Sequence, residues 1–194
     1  MKIQKNQNIL IYSSNFLLKS LDESSVSSVL EYNIRNKDFF EIAVPTRNEF
    51  YFTEEHQIEK LILEKNIRNL GRGFRLYIYS KNDKECKNIL GDIAVYDIEF
   101  TEKSCSMGYK VDFAYKQRGV MLEAMKRTID YLFDDIGIDS IYLFIIHRNV
   151  PSLRFATKLG FRRIGVVSDY IEVMGKKEDH LKLVYTRVEY ESKR

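Results

Sequence analysis

"AYKQRGVMLEAMKRTIDYLF", Ala114 to Phe133, is the stretch on which the fold turns. Leu122, Met125, Ile129, Leu132 and Phe133 recur at helical spacing, and Ile136 extends the stripe. An amphipathic helix that stops at Gly137 is predicted. Upstream, "SMGYKVDF" alternates like a strand, so Gly119 falls in a strand-to-helix loop. The first N–H groups of such a helix lack intrahelical partners, and with the helix dipole they attract an anion. A glycine lets a phosphate approach the backbone closely. Lys116 and Arg118 flank it with positive charge. An ordinary helix start with a turn glycine and solvated basic residues also explains this segment on its own.

The next segment shifts the balance. "SIYLFII", Ser140 to Ile146, is apolar throughout, as in a strand buried on both faces. "HRNVPSLRFATKLGFRRIG" follows. Asn149 is suited to cap a helix from about Val150 to Leu159, Pro151 to its first turn, and Gly160 to its end. The chain thus repeats strand–loop–helix, with an anion site on the first unit and an asparagine on the second.

Upstream, "FRLYIYS", "ILGDIAVYDIEF" and "SMGYKVDF" read as an antiparallel meander, with the polar "SKNDKECKN" as one hairpin loop. A helix is expected near Asp22, carrying Val26, Val29, Leu30 and Ile34. A second is expected after Thr53 as N-cap, through Ile58, Leu61, Ile62 and Leu70 to Gly71. "ILIYSSNFLLKSL" reads as one strand with a bulge, and "NKDFFEIAVPTRNEFYF" as irregular. The tail offers "FRRIGVV", a turn near Gly175, and "LKLVYTRVEY". The predicted order is β-α-α-β-β-β-α-β-α-β-β. It implies an α/β domain with a mixed, mostly antiparallel sheet, helices on both faces and one parallel pair late in the chain.

Composition bounds the function. With 194 residues, 44% hydrophobic, a single domain over residues 1–194 is expected. A net charge of +3 falls short of the clustered excess of a nucleic-acid binder and suits a small anionic ligand. "MKIQKNQNILIYSSNFLLKSL" has no leader pattern, and no apolar run is long enough to span a bilayer. Cys86 and Cys105 have no metal-type spacing. A cytoplasmic protein with reduced thiols, no metal and no membrane partner is expected.

The segment Gly108 to Gly165 resembles the GNAT acetyltransferase superfamily, and most closely its RimJ/RimL ribosomal-protein N-terminal acetyltransferase branch. The residues that carry this are "GYKVD", "YKQRGVMLEAMKRTIDYLF" and "NVPSLRFATKLGF". "RNKDFF…YFTEEHQ" resembles the branch's N-terminal helical region. "YIEVMGKKEDH" resembles its C-terminal stretch. The loop departs from the superfamily's Q/R-x-x-G-x-G/A: Lys116 opens it, Gln117 stands where the branch has a second glycine, and Met121 replaces a small residue.

The resemblance implies a GNAT fold in which acetyl-CoA lies in a splay between the strand of "GYKVDF" and the strand from Ser140. Val111, Asp112 and Phe113 then offer backbone contacts to pantetheine. Lys116, Gln117, Arg118, Gly119, Val120, Met121 and Leu122 form the pyrophosphate loop. Asn149 and Ser152 sit near the thiol, and Lys158 near the nucleotide. Glu99 and Asp169 are the candidates for the base, and Ser152 for the acid that protonates the leaving thiolate. The implied activity is acetyl transfer from acetyl-CoA to an amino group, with a protein or peptide α-amine as the leading acceptor. A small amine (polyamine, amino acid or aminoglycoside) and a non-catalytic acyl-CoA-binding module are the alternatives. A monomer or a homodimer fits either.

Overall fold

A computed structural model describes residues 8–194. Met1–Gln7, which open the N-terminal stretch read for a leader, lie outside the described residues. "ILIYSSNFLLKSL" forms a hairpin instead of a single bulged strand, β1 (Leu10–Tyr12) against β2 (Phe16–Lys19). Ser13 makes the turn, with its N–H on the Phe16 carbonyl and its hydroxyl bonded to Phe16. Three helices follow: α1 (Val26–Arg35), α2 (Lys37–Glu41) and α3 (Glu54–Asn69). The aromatic stretch read as irregular therefore contains a short helix. Thr53 caps α3 by accepting from the His56 N–H, and Gly71 beyond its end has φ +71°.

The predicted meander is present as β3 (Phe74–Ser80), β4 (Gly91–Glu99) and β5 (Ser104–Val111). Helix α4 (Val120–Asp130) runs into a π-helical turn, Tyr131–Ile136. Then come β6 (Ser140–Ile146), α5 (Val150–Leu159), β7 (Arg162–Val173) and β8 (Lys176–Thr186). The tail predicted as strand turns helical at Arg187, where α6 (Arg187–Glu191) begins with a reciprocal capping box between Thr186 and Glu189.

The strands form one eight-stranded sheet in the order β1-β2-β3-β4-β5-β6-β8-β7, antiparallel except for β5 beside β6. Alternation along β3 separates the two faces. Leu76 and Ile78 join the larger core with Met125, Ile129 and Phe133 from the α4 segment. Tyr77 and Tyr79 join a smaller cluster with Val29, Tyr32 and Leu61 from α1 and α3. Helices thus cover both faces, as expected. The inner surfaces of α1 and α3 differ from the predicted stripes. Ile34, Ile58, Ile62 and Leu70 are exposed, whereas Tyr32, Asn33, Gln57 and Arg68 are buried. Among the described residues no helix is long and apolar enough to cross a membrane.

Candidate functional site

The parallel pairing of β5 with β6 is short. Ser104 to Met107 pair with Ser140 to Leu143, and pairing stops while both strands continue. The strands splay from there. Gly108–Val111 and Leu143–Ile146 line the two sides of a cavity of about 1280 Å³. Backbone polar groups that a continuous sheet would consume face this gap, so it suits an extended amide-bearing ligand.

At one end of the gap the chain enters α4. Gly119 is the N-cap residue, with φ +81° and no side-chain cap. A Cβ built on Gly119 would meet nothing within 4 Å, so the turn is open on the side where an anion would approach. Gln117 also has φ +59°, a conformation that L residues enter at a cost of roughly 1–2 kcal/mol. A glycine would suit that position better. Met121 does not crowd the loop: it is buried, with its Cε packed 3.2 Å from the ideal Cβ site of Gly91. The Lys116 ammonium rests over the rings of Phe113 (4.5 Å) and Phe39 (5.2 Å) at the mouth.

At the other side, α5 begins as expected. Asn149 accepts from the Ser152 N–H (3.2 Å), and Gly160 closes the helix with φ +113°. The Ser152 hydroxyl lies 2.6 Å from that of Tyr109, which reaches across from β5 and packs edge-on against Phe155. Burial pushes the Tyr109 phenol up to about 12, against the pull of its Ser152 hydrogen bond. Tyr109 therefore stays protonated across the neutral range.

Of the expected contacts, Val111, Lys116, Gln117, Gly119, Val120, Met121, Leu122, Asn149, Ser152 and Lys158 all line the cavity. Phe113 and Arg118 are exposed beside it, and the lining does not include them. Asp112 is buried behind it, with a structural task. Its carboxylate accepts from Arg35 (2.6 Å), Asn36 (2.9 Å) and the Ala114 N–H (2.9 Å), while Asn36 holds the Phe113 N–H. Burial works to raise the Asp112 carboxyl, but these donors hold it below the usual carboxylate value. The loop is thereby fixed to the end of α1.

The two carboxylates expected as base are not in the cavity lining. Glu99 pairs with Ser104, whereas Tyr109 at the gap pairs with Ile93. Glu99 is thus roughly 20 Å down β4 from the site. The reason is strand direction: β4 runs antiparallel to β5, so its last residue lies at the opposite end of the sheet. Asp169 is exposed in a bulge of β7, with φ +51° and its N–H held by the Asp179 carboxylate (3.0 Å). It stands next to Tyr170, which stacks on Phe144 of the gap, and two residues from Ile171, which lines the cavity. Cys105 is buried in β5 and burial pushes its thiol up to about 12, which removes it as a nucleophile.

Beyond the gap the cavity continues under α2 and α3, and here the structure adds residues that the sequence did not flag. Tyr77, Asp92 and Lys110 stand side by side on β3, β4 and β5. Arg75 bonds Asp92 and also Glu64 of α3 (2.8 Å). Lys60, one turn before Glu64, reaches the Tyr77 hydroxyl (3.2 Å), and the Tyr32 hydroxyl donates to Asp92 (3.0 Å). His180 also lines the cavity, with its Nδ1–H on the Glu178 carbonyl (3.0 Å).

Burial lowers the Lys60 ammonium from 10.5 to about 8, outweighing the attraction of Glu64. Between these two values the unfolded chain binds a proton that the native chain does not, so this lysine makes stability rise with pH. Urea unfolding at pH 8 and pH 9.5 should show a gain in wild type that Lys60→Met lacks, about 1–2 kcal/mol. An equal pH response in both proteins would contradict this assignment.

Comparison with known proteins agrees with the geometry. The model of the acetyltransferase (GNAT) domain matches residues 30–162. The probable N-acetyltransferase YjcK of Bacillus subtilis is 23% identical over 172 residues, 88% of this chain and 93% of that protein. The ribosomal-protein-S5-alanine acetyltransferase of Vibrio fischeri superposes with a TM-score of 0.83 at 23% identity, covering 92% of this chain and 96% of that one. RimJ of Mycobacterium smegmatis, solved with a CoA-disulfide, gives 0.85 at 16% identity, covering 97% and 90%. With its splayed parallel pair, its glycine turn at the start of α4 and a family match over more than half its length, the chain belongs to the GNAT acetyltransferase family.

Proposed function

We propose that the protein transfers acetyl from acetyl-CoA to the α-amino group of a protein or peptide. The observation that carries this reading is the continuity of one cavity, from the Gly119 turn through the β5/β6 gap to the space beneath α2 and α3. One end fits a phosphate-bearing chain and the other accommodates an acceptor. The name of the Vibrio fischeri relative, a ribosomal-protein-S5-alanine acetyltransferase, supports a protein as the acceptor.

When bound, acetyl-CoA supplies the activated acetyl group. The chain's residues do the rest. The N–H groups at the start of α4, with Lys116 and Lys158, hold phosphate charge. The open backbone of Gly108–Val111 orients the pantetheine arm. Ser152 keeps a proton at Oγ for the departing sulfur, and Tyr109 fixes that hydroxyl and can replenish it. Asp169, at the bulge beside the cavity, takes one proton of the acceptor ammonium through water. The second, released once the nitrogen has bonded the acetyl carbon, returns to the Tyr109–Ser152 pair as the sulfur leaves with theirs. Glu99 has no part in this scheme.

The reading is tested by incubating the protein with acetyl-CoA and peptides with free or blocked N-termini, following CoA release. Release only with free α-amines is expected, together with CoA binding by calorimetry. Tight CoA binding with no turnover on any amine would instead support a non-catalytic acyl-CoA module. Two side chains report on the proton donor. Ser152→Ala should lower kcat about a hundredfold and Tyr109→Phe about tenfold, with CoA affinity nearly unchanged. The double variant should be no slower than Ser152→Ala, because both residues act through one proton. Additive losses would separate their roles.

A further inference from the structure

The charged cluster beyond the gap is out of balance. It joins three cations, Lys60, Arg75 and Lys110, to two carboxylates, Glu64 and Asp92. The cations face the cavity, with side chains 18%, 24% and 22% exposed, while Asp92 is sealed beneath them at 1%. Arg75 is paired directly with both carboxylates, through Nε with Glu64 and through Nη1 with Asp92. The lysines are less well supplied. The carboxylate oxygen nearest the Lys110 ammonium is 3.4 Å away, long for a charge-assisted contact, and the ammonium leans on the ring of Phe40 at 4.6 Å. Lys60 is 3.5 Å from Glu64.

Ammonium groups with spare donors, walled by protein and facing one space, leave their charge uncompensated, which is costly unless an anion completes them. Burial depresses both lysines, and an anion in the cavity would reverse that. Two further carboxylates line the cavity, but Glu59 is exposed and Glu41 accepts the Arg47 N–H (3.1 Å). Neither supplies Lys60 or Lys110 among the described contacts.

We propose that Lys110 and Lys60 form an acceptor subsite for a carboxylate, so that the preferred substrate carries one acidic group close to its amine. The excess over the cluster's own carboxylates is a single positive charge, which matches a monoanionic carboxylate better than a dianionic phosphate. This rests on the N-acetyltransferase reading and narrows it. The carboxylate has two sources: an acidic side chain near a peptide's N-terminus, or the α-carboxylate of a free amino acid. The same charge balance opposes polyamines and aminoglycosides, which would bring cations to a cationic wall.

The test uses matched acceptors that differ only in charge. One arm compares N-terminal peptides carrying Asp or Glu at positions 2 to 4 with their Asn or Gln counterparts. The other compares free amino acids with their amides. In at least one arm the carboxylate member should be acetylated with kcat/KM about tenfold or more above its amide, as expected for one charge-assisted contact. Lys110→Met and Lys60→Met should bring that ratio toward unity while CoA binding persists. The wild-type comparison stands even if a variant fails to fold. Equal rates for carboxylate and amide, or a preference for the amide, in both arms would overturn the subsite and leave the acetyltransferase reading intact. CoA binding without acetylation of any acceptor would overturn both.

Discussion

Asp92→Asn should unfold at a temperature on the order of 10 °C below the wild type, a loss of about 3–5 kcal/mol. The substitution keeps the shape and removes one charge. Asp92 receives Arg75 on one oxygen, and the Tyr32 hydroxyl and the Lys110 ammonium on the other. Without that carboxylate, Arg75 keeps only Glu64, and Lys110 has no anion nearby among these contacts. Burial by itself raises the Asp92 carboxyl, but the charges of Lys110, Arg75 and Lys60 and the tyrosine hydrogen bond leave it below the ordinary value. Its stabilisation is therefore complete above the ordinary carboxylate range and is lost as pH falls through the lowered native value. The acid limb of the stability curve should be shallower in Asp92→Asn. Adding Lys110→Met should recover part of the loss, because it removes one of the orphaned cations. By contrast, Glu31→Gln, which breaks an exposed contact with Arg35 at 3.4 Å, should cost under about 1 kcal/mol. Thermal unfolding of the wild type and these three variants decides the matter. A loss for Asp92→Asn no larger than that for Glu31→Gln would mean that the cluster is solvated and weak.

What the sequence revealed follows from the range of each interaction. The start of α5 was legible because its signals are local: Asn149 accepts from the Ser152 N–H three residues on, and Gly160 takes the positive φ that its position demands. Thr53 and α3 were legible for the same reason. The inner face of α3 was not. Its apolar residues suggested a stripe, but the helix lies over Arg75 and Tyr77, so it turns Lys60 and Glu64 inward with Leu61 and leaves Ile58 and Ile62 outside. The misplaced Glu99 has a geometric origin. Its position at a strand end was correct, but a strand has two ends and only the register with β5 decides which one meets the gap. The charged cluster joins residues 32, 60, 64, 75, 77, 92 and 110, far apart in the chain. The one local hint was Asp92 in "GDIAVYDIEF", a charge in a strand whose neighbours all read as core. Such a residue requires partners, and only the sheet order supplies them.

Gly119→Val should weaken CoA binding about a hundredfold or more and lower the unfolding temperature by only a few degrees. Two effects separate here. The backbone at φ +81° costs a β-branched residue roughly 1–2 kcal/mol, a stability effect. A Cβ built there meets nothing within 4 Å, so the branch point of the side chain adds no clash with the fold. It fills the open side of the turn, where an anion would meet the first N–H groups of α4. Losing two charge-assisted contacts amounts to about 3 kcal/mol or more, which is about a hundredfold in affinity. Gly137 supplies the control. It has φ +86° and equally open surroundings, but it follows the π-helical turn at the other end of the α4 segment. Gly137→Val should therefore show a similar loss of stability and unchanged CoA affinity. Calorimetry with CoA on both variants isolates the site from the strain. If Gly119→Val binds CoA as wild type does, the phosphates lie elsewhere, and the glycine serves only the turn. A loss confined to Gly119→Val places them on this backbone, with Gln117 two residues earlier holding the same left-handed conformation without a glycine's freedom.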